Sequence, residues 1–590
     1  MAQPAANIIT NPYWRHIFRL LVRPSAGRLG HTLRVTIAGM IGVLIGEIWQ
    51  LPAMDIIPII ILAIWQEDRM LNLTIGKTAL IFFAFVMSAV YFATVFSINN
   101  FFLTLFVNLI FSFVFFFLGS ASKLKGIALV GGLFLSYILL QIDVISHSDT
   151  VTRIILYVTL ALAISCGSFI VLGFPLSPSP QRVLMGRIAY RLRTAADHLI
   201  DPTSLKFTEE TKDLLRQGTQ GMLVNLALAS KEKLLSAQDL LSLRQAALHS
   251  YAILTLVNKS TRSSPLPSRE ERRELASLLL EMAQAFDENS YLRNVKSPTF
   301  SHPILQSISP LLEQFSVPSE DPLPPAPPAP GFFVPDAFSN PNYVLYATKG
   351  TAAVFINIVI FKCLNWPGIH TCVITCFVVA LPTMGEVISK QTLRIIGSFI
   401  GCGFAMLGII FLIPHFISIA QLLLFLGVVL LVSGWLNSGE SRIAYIGLQI
   451  AIAFFLSDLT NSTPATDLTV PRDRVIGIMI GLFINYIMHT YLWPKSCGTQ
   501  IGPQLQAIKD LLKAESNAST SVERIVFASK VQERIAATEI MLENSVLEPI
   551  PFRLTRATRA HYRYVLMKAS LSMEDFLLPA SSSVREISPP

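Results

Sequence analysis

Charge is scarce in this chain. Asp, Glu, Lys and Arg make up 14% of its 590 residues, against roughly 25% in soluble domains. Cysteine is scarce too. There are six, five of them in apolar runs or at their ends, and their spacing sets out no disulfide framework. No G-x-x-x-x-G-K-[ST] loop is present, which excludes a phosphate-binding loop of that kind and with it a self-contained ATPase. H-E-x-x-H and G-x-S-x-G are absent as well, so an enzyme is disfavoured. The first 30 residues hold no apolar stretch followed by a small-residue cleavage site, and no removable signal peptide is expected. The net charge of +8 comes with no nucleic-acid motif. It is read as membrane topology, not as nucleic-acid binding.

Apolar residues are what the chain has instead, at 52%. They concentrate at 32–174 and 344–493, while 176–340 and 495–590 are ordinary polar sequence. A hydrocarbon core ~30 Å thick takes about 20 apolar residues per helix. We expect six spans in the first run, near 32–49, 52–66, 74–96, 101–118, 124–142 and 154–174. Six more are expected near 344–364, 367–385, 392–413, 416–435, 443–457 and 474–493. The predicted fold class is an all-α polytopic membrane protein with about twelve transmembrane helices. Arg15, Arg19, Arg23, Arg28 and Arg34 place the N-terminal tail in the cytoplasm. Arg69, Lys77, Lys123, Lys125, Arg182 and Arg187 recur at the ends expected on that same side, so both termini are predicted to be cytoplasmic. Within 1–31, Arg15, Arg19 and Arg23 share one helical face, and Trp14, Phe18, Leu21 and Val22 another. That is the pattern of an amphipathic helix in the membrane interface; an ordinary tail is the plainer alternative.

The two apolar runs share a skeleton. Arg34 to Pro52 and Lys349 to Pro367 are both 18 residues; Arg153 to Pro175 and Arg472 to Pro494 are both 22. Pro52 to Arg153 is 101 residues and Pro367 to Arg472 is 105. An even number of spans gives each half one orientation, so we read two parallel repeats, 32–175 and 343–494. Each is followed by a helical cytoplasmic domain. Residues 176–316 carry leucine and alanine at helical spacing, and 495–590 predict helices near 502–515, 521–546 and 551–577. The run "SVPSEDPLPPAPPAPGFFVP" makes 317–342 a proline-rich linker.

This layout resembles the fusaric acid resistance (FUSC) family, which includes aromatic acid exporters and an inner-membrane subunit of multidrug efflux systems. The local matches are "LNWPGIHTCVITCFVVAL" and "RDRVIGIMIGLFINYIMHTYLWP", both closest to the multidrug-efflux branch. The stretch "LPAMDIIPIIILAIWQEDR" fits more loosely. The resemblance implies export of small aromatic or anionic compounds across a bacterial inner membrane. It also implies a periplasmic adaptor and an outer-membrane channel as partners; a homodimer is compatible with it. Plant malate channels have a similar six-span unit, which keeps a passive organic-anion channel open as the alternative.

Uphill export without an ATP site has to run on an ion gradient, with protons the default. Titratable groups inside a membrane are costly and are therefore functional candidates. Asp55 follows Pro52 by three residues and His370 follows Pro367 by three, so the repeats place a titratable group at matched positions. Glu47 and Lys362 match likewise, each five residues before its proline. Either pair lines a shared pathway or caps a helix in water. Glu67, Asp68 and Glu386 are further proton candidates, or else acids that pair with nearby bases such as Arg69, Lys390 or Arg394. Arg34 and Lys349 either anchor the spans or attract an anionic substrate. Arg153, Arg472 and Arg474 break the positive-inside trend and suit carboxylate binding or packing, with Asp473 as a neighbouring counter-ion. Pro58 and Pro382 are read as interrupting the second spans, where broken helices mark binding sites. His370, Cys372 and Cys376 supply three soft ligands and no fourth, so neither a metal nor any other cofactor is predicted.

Overall fold

In the computed structural model, which describes residues 27–98, 100–142, 148–290, 295–315, 331–459 and 466–578, the apolar runs fold as helices. The segment bearing Arg15, Arg19 and Arg23, and most of the proline-rich stretch, lie outside the described residues. The first half holds α1 (Arg28–Ile48), α2 (Ile56–Ile64), α3 (Arg69–Ser97), α4 (Phe101–Ala121), α5 (Gly126–Ile142) and α6 (Ser148–Val171). Polar sequence then forms α7 (Pro180–Ile200), α8 (Leu205–Arg216), α9 (Gln220–Glu232), α10 (Ala237–Ser260) and α11 (Arg269–Asp287). The second half holds α12 (Pro341–Cys363), α13 (Thr371–Val379), α14 (Met384–Leu407), α15 (Ile419–Asn437), α16 (Ser441–Asp458) and α17 (Thr469–Tyr491). The tail adds α18 (Gly498–Ser516), α19 (Ser521–Asn544) and α20 (Arg556–Phe576).

The chain divides into two compact units, one made of the two apolar halves and one made of 178–329 with 496–590. The two polar segments, expected as separate domains, thus form a single helical unit. By length and composition nine helices among the described residues can cross a membrane. One of these is α10, which is instead the buried centre of the helical unit, with polar His249, Tyr251 and Thr255 enclosed along it.

In the membrane unit the second helix of each half is short. Helices α2 and α13 have nine residues each, about 14 Å at 1.5 Å per residue and about half the hydrocarbon thickness. The irregular backbone before each is tolerated at depth only inside protein, and Leu51, Met54, Ile369 and His370 are indeed buried. Both approaches use the same turn. Gln50 (φ 51°) and Asn365 (φ 45°), each two residues before its proline, take the left-handed conformation. Their N–H groups donate to Glu47 and Lys362 carbonyls at 3.1 Å in both cases.

Packing repeats as well. In each half the first helix meets the second and sixth, the second meets the sixth, the third meets the fifth and sixth, and the fourth meets the fifth. Between halves, α1 packs on α15 and α12 on α4, while α2 packs on α16 and α13 on α5. These contacts are unchanged on exchanging the halves, whereas the contact of α3 with α4 and that of α16 with α17 have no counterpart of like extent. Phe116 of the phenylalanine-rich α4 is enclosed, stacked on Phe377 at 4.8 Å. Ile81, Phe85, Phe92, Phe96 and Phe102 stay exposed, an apolar surface suited to lipid.

The helical unit is held by one core shared between α7, α10, α11, α19 and α20. Capping boxes at Ser236–Asp239, Ser268–Glu271 and Thr520–Glu523 start α10, α11 and α19. Glu515, in the last turn of α18, is fully buried and neither carboxylate oxygen has a hydrogen-bond partner. Burial pushes its pKa up to about 9, against the opposing pull of Arg524. The folded chain therefore keeps a proton that the unfolded chain releases above 4.5, and stability falls as pH rises from there to about 9. Glu515→Gln should flatten that slope, by up to about 1.4 kcal/mol per pH unit. In thermal unfolding of the full chain the variant should exceed the wild type by more at about pH 8 than at about pH 5; an equal gap at both contradicts it.

Candidate functional site

The residues Trp366 to His370 turn the chain from α12 into α13. The Trp366 indole N–H donates to Asp473 Oδ2 at 2.7 Å. Pro367 opens a single 3-10 turn, Pro367–Ile369. A Cβ at Gly368 would stand 2.1 Å from Asp473 Oδ2, so only glycine fits there. His370 Nδ1–H donates back to the Pro367 carbonyl at 2.9 Å. That leaves Nε2 as an acceptor, and Arg474, which has donors only, donates to it through Nη1. Helix α17 reaches this turn through Gly477 and Gly481, whose Cβ positions would lie 2.7 Å from the Ile369 carbonyl and 2.5 Å from the Cys372 carbonyl. This is a G-x-x-x-G contact of the kind that lets membrane helices approach closely. The two strings "NWPGIH" and "RDRVIGIMIG" thus fold against each other.

Asp55 comes from the other half. It precedes the first residue of α2, is buried, and lies within electrostatic range of Arg474 with no hydrogen bond or ion pair between them. Tyr137 of α5 sets its ring against His370, with centroids 5.5 Å apart, and also acts on Arg474. The centre therefore draws Asp55 and Tyr137 from one half and His370 and Arg474 from the other. Arg474 keeps its charge at any ordinary pH, whereas Asp55 and His370 can gain or lose a proton. By the repeat spacing Arg474 corresponds to Ile155, so the cation occurs once between the matched pair.

The remaining predicted residues sit elsewhere. Arg472 pairs with Asp473 at 2.9 Å, beside the Trp366 ring. Arg153 pairs with Asp149 at 2.9 Å with side chains 68% and 75% exposed, so it is not part of the centre. Lys349 donates to the Trp493 carbonyl just past α17, which makes it a helix C-terminal partner. Arg34 folds back over Gly30 and acts on His31. Asp68 caps α3 by accepting from the Leu71 N–H at 2.8 Å. Exposed Glu67 lines a cleft of about 330 Å³ with Arg28, His31, Trp65 and Asn437. Glu386 accepts from the Thr383 hydroxyl at 2.7 Å, and Arg394 does not pair with it. Pro58 falls in the first turn of α2, where a missing N–H is harmless, and Pro382 lies between α13 and α14. Neither proline breaks a helix from inside, so the short second helices have another cause. Cys372 and Cys376 are buried against Asn357.

Two residues were missed. Tyr137 carries no signal in an apolar run. Asp458 does: it is an acid at the end of "IAFFLSD", fully buried at the end of α16, with neither carboxylate oxygen hydrogen-bonded.

The family described as fusaric acid resistance protein-like matches residues 353–488. Over this stretch the chain is similar to that family. His370, Arg394 and Arg474 lie inside the matched stretch; Asp55 and Tyr137 lie outside it. The chain is 34% identical over 233 residues to multidrug resistance protein MdtO of Shigella flexneri, covering 38% of this chain and 34% of that protein. It is 33% identical over 233 residues to MdtO of Escherichia coli strain K12, with the same coverage. MdtO of Escherichia coli O6:H1 is 38% identical over 175 residues, 29% of this chain and 26% of that protein. The match thus spans about a third of the length of these relatives. No solved structure matches the chain.

Asp55 and Arg474 are buried charges that act on each other through space without a direct ion pair, so removing one leaves the other less compensated, at a cost below the about 3–5 kcal/mol of a contact pair. Arg474→Gln should therefore destabilise the membrane unit, and Asp55→Asn in the same chain should recover part of the loss. Denaturation of the two single variants and the double variant measures the coupling. Additive losses would separate the two residues.

Proposed function

We propose that this chain is the membrane subunit of an efflux system that exports small aromatic or anionic compounds, driven by protons, with Asp55 as the group that takes up and releases the proton. The observation that carries this reading is the buried Asp55–Arg474–His370 centre, assembled from both halves where the two short helices begin. Its position fits a pathway between duplicated halves. Gain of a proton by Asp55 changes the partner available to Arg474, and a change of partner at the seam between halves is a means of moving one against the other.

The likeness to proteins named for multidrug resistance and to the fusaric acid resistance family supports the export reading. On that likeness we propose a bacterial inner membrane, and on the basic residues at alternate span ends, cytoplasmic termini. It would work as a secondary transporter with a periplasmic adaptor and an outer-membrane channel, alone or as a homodimer. A passive organic-anion channel is the second reading. Buried Arg394 and Arg474 favour it, because an inside-negative potential already drives an anion outward by about 2.3 kcal/mol per unit charge per 100 mV.

The two readings part in proteoliposomes with the membrane potential clamped at zero. Benzenesulfonate serves as cargo, since it stays anionic and does not cross as a neutral acid. With a pH gradient as the sole driving force, the wild type should concentrate it against its gradient. Asp55→Asn should only equilibrate it, and His370→Asn should slow or abolish the uphill phase. Flux that ignores the pH gradient and follows an imposed potential would establish the channel instead.

A further inference from the structure

Arg394 of α14 is the largest fully buried side chain among the described residues, with 1% of its surface exposed. Its Nη1 donates to Gln449 Oε1 of α16 at 2.6 Å and its Nη2 to Thr375 Oγ1 of α13 at 3.2 Å. Both partners are neutral. Lys390, one turn earlier, lies over the Tyr445 ring at 5.1 Å. No acidic side chain among the described residues pairs with either cation. Glu386, the acid next along the helix, is engaged by Thr383. A buried guanidinium with only neutral partners is costly, and inside a membrane such a group is a candidate for a substrate path.

Around Arg394 the unused hydrogen-bonding capacity is mostly of donors. Arg394 Nε, Gln449 Nε2 and Ser398 Oγ are buried without a well-formed hydrogen bond, and Tyr445 Oη lies close to Arg394 and Gln449 in poor hydrogen-bond geometry. Ser398 lies one turn after Arg394 on the same face, and Tyr445 and Gln449 lie one turn apart on the facing helix. The Nε–H edge of a guanidinium, with the second hydrogen of Nη2, is the planar fork that matches a carboxylate or sulfonate. Thr375 connects this cluster to the centre described above. Its hydroxyl donates to the Thr371 carbonyl at 2.7 Å, and the Thr371 hydroxyl donates to the Arg474 carbonyl at 3.3 Å.

We propose that Arg394, with Lys390, Gln449 and Tyr445, is a binding subsite for the anionic headgroup of a small organic acid. The subsite lies between α14 and α16. It rests on the export reading only in naming the bound anion as cargo. Binding is measured without transport, so either claim can fail while the other stands.

The test is thermal unfolding of the full chain in detergent, with benzenesulfonate titrated against chloride at matched ionic strength. Benzenesulfonate should raise the unfolding temperature along a saturable curve, and chloride should do so much less. Arg394→Gln should respond to neither. Because that variant also unties three helices, Gln449→Glu is the second arm. It keeps the helix contact and supplies Arg394 with a carboxylate of its own. It should fold, be at least as stable as wild type without ligand, and lose about tenfold or more in apparent affinity for benzenesulfonate. No saturable rise in the wild type overturns the proposal. So does an equal response to chloride, or a wild-type response in Gln449→Glu.

Discussion

One buried cation sets the terms for the membrane unit. Arg474 sits in α17 with almost no exposed surface, donates to His370 of its own half and acts on Asp55 of the other. A guanidinium at that depth cannot shed its proton and is expensive unless paired. The structure meets the need with local devices that would otherwise look unrelated. Gly477 and Gly481 bring α17 onto the His370 turn, Gly368 makes room for Asp473, and Trp366 holds Asp473 in place. The shortness of α2 and α13 leaves their first residues inside the protein, where a carboxylate and an imidazole can face the same cation.

The exchange of contacts between halves explains why the pair meets there. Each first helix packs on the other half's fourth, and each second helix on the other half's fifth. The starts of the two second helices are thereby held at the seam. Matched positions carry Asp55 and His370, and the cation that joins them exists on one side only. Symmetry supplies the frame and its local breaking supplies the chemistry. The same asymmetry holds for Arg394, whose neutral surroundings on α13 and α16 belong to the second half.

Much of the fold was legible because apolar length is a strong signal. The two sets of six helices fall where the hydropathy runs put them, and α18, α19 and α20 lie close to the tail helices expected from periodicity. Spacing from Pro52 and Pro367 matched Asp55 with His370. It could not say that both lie near Arg474, because that arrangement joins three segments distant in sequence. Helical spacing in polar sequence put α10 outside the membrane runs, although by length and composition it is apolar enough to cross a membrane; its polar residues are enclosed in a helical core. Charge alone left two readings open for Lys349, Asp68 and Glu386. Each is engaged by helix-end groups, and the geometry of a cap is invisible without the backbone. Prolines misled for the short helices: Pro58 starts one and Pro382 follows the other. Tyr137 gave no signal, since an aromatic in an apolar run is ordinary.

The most direct measurement is infrared difference spectroscopy of the purified full chain across a pH titration, with aspartate carboxyls isotopically labelled. Asp55 is expected to give a protonated carboxyl band that appears and disappears with pH in the wild type, is absent from Asp55→Asn and is altered in Arg474→Gln. A spectrum in which that band survives in Asp55→Asn, or in which no aspartate titrates, would contradict the assignment of Asp55 as the proton-carrying group of this centre.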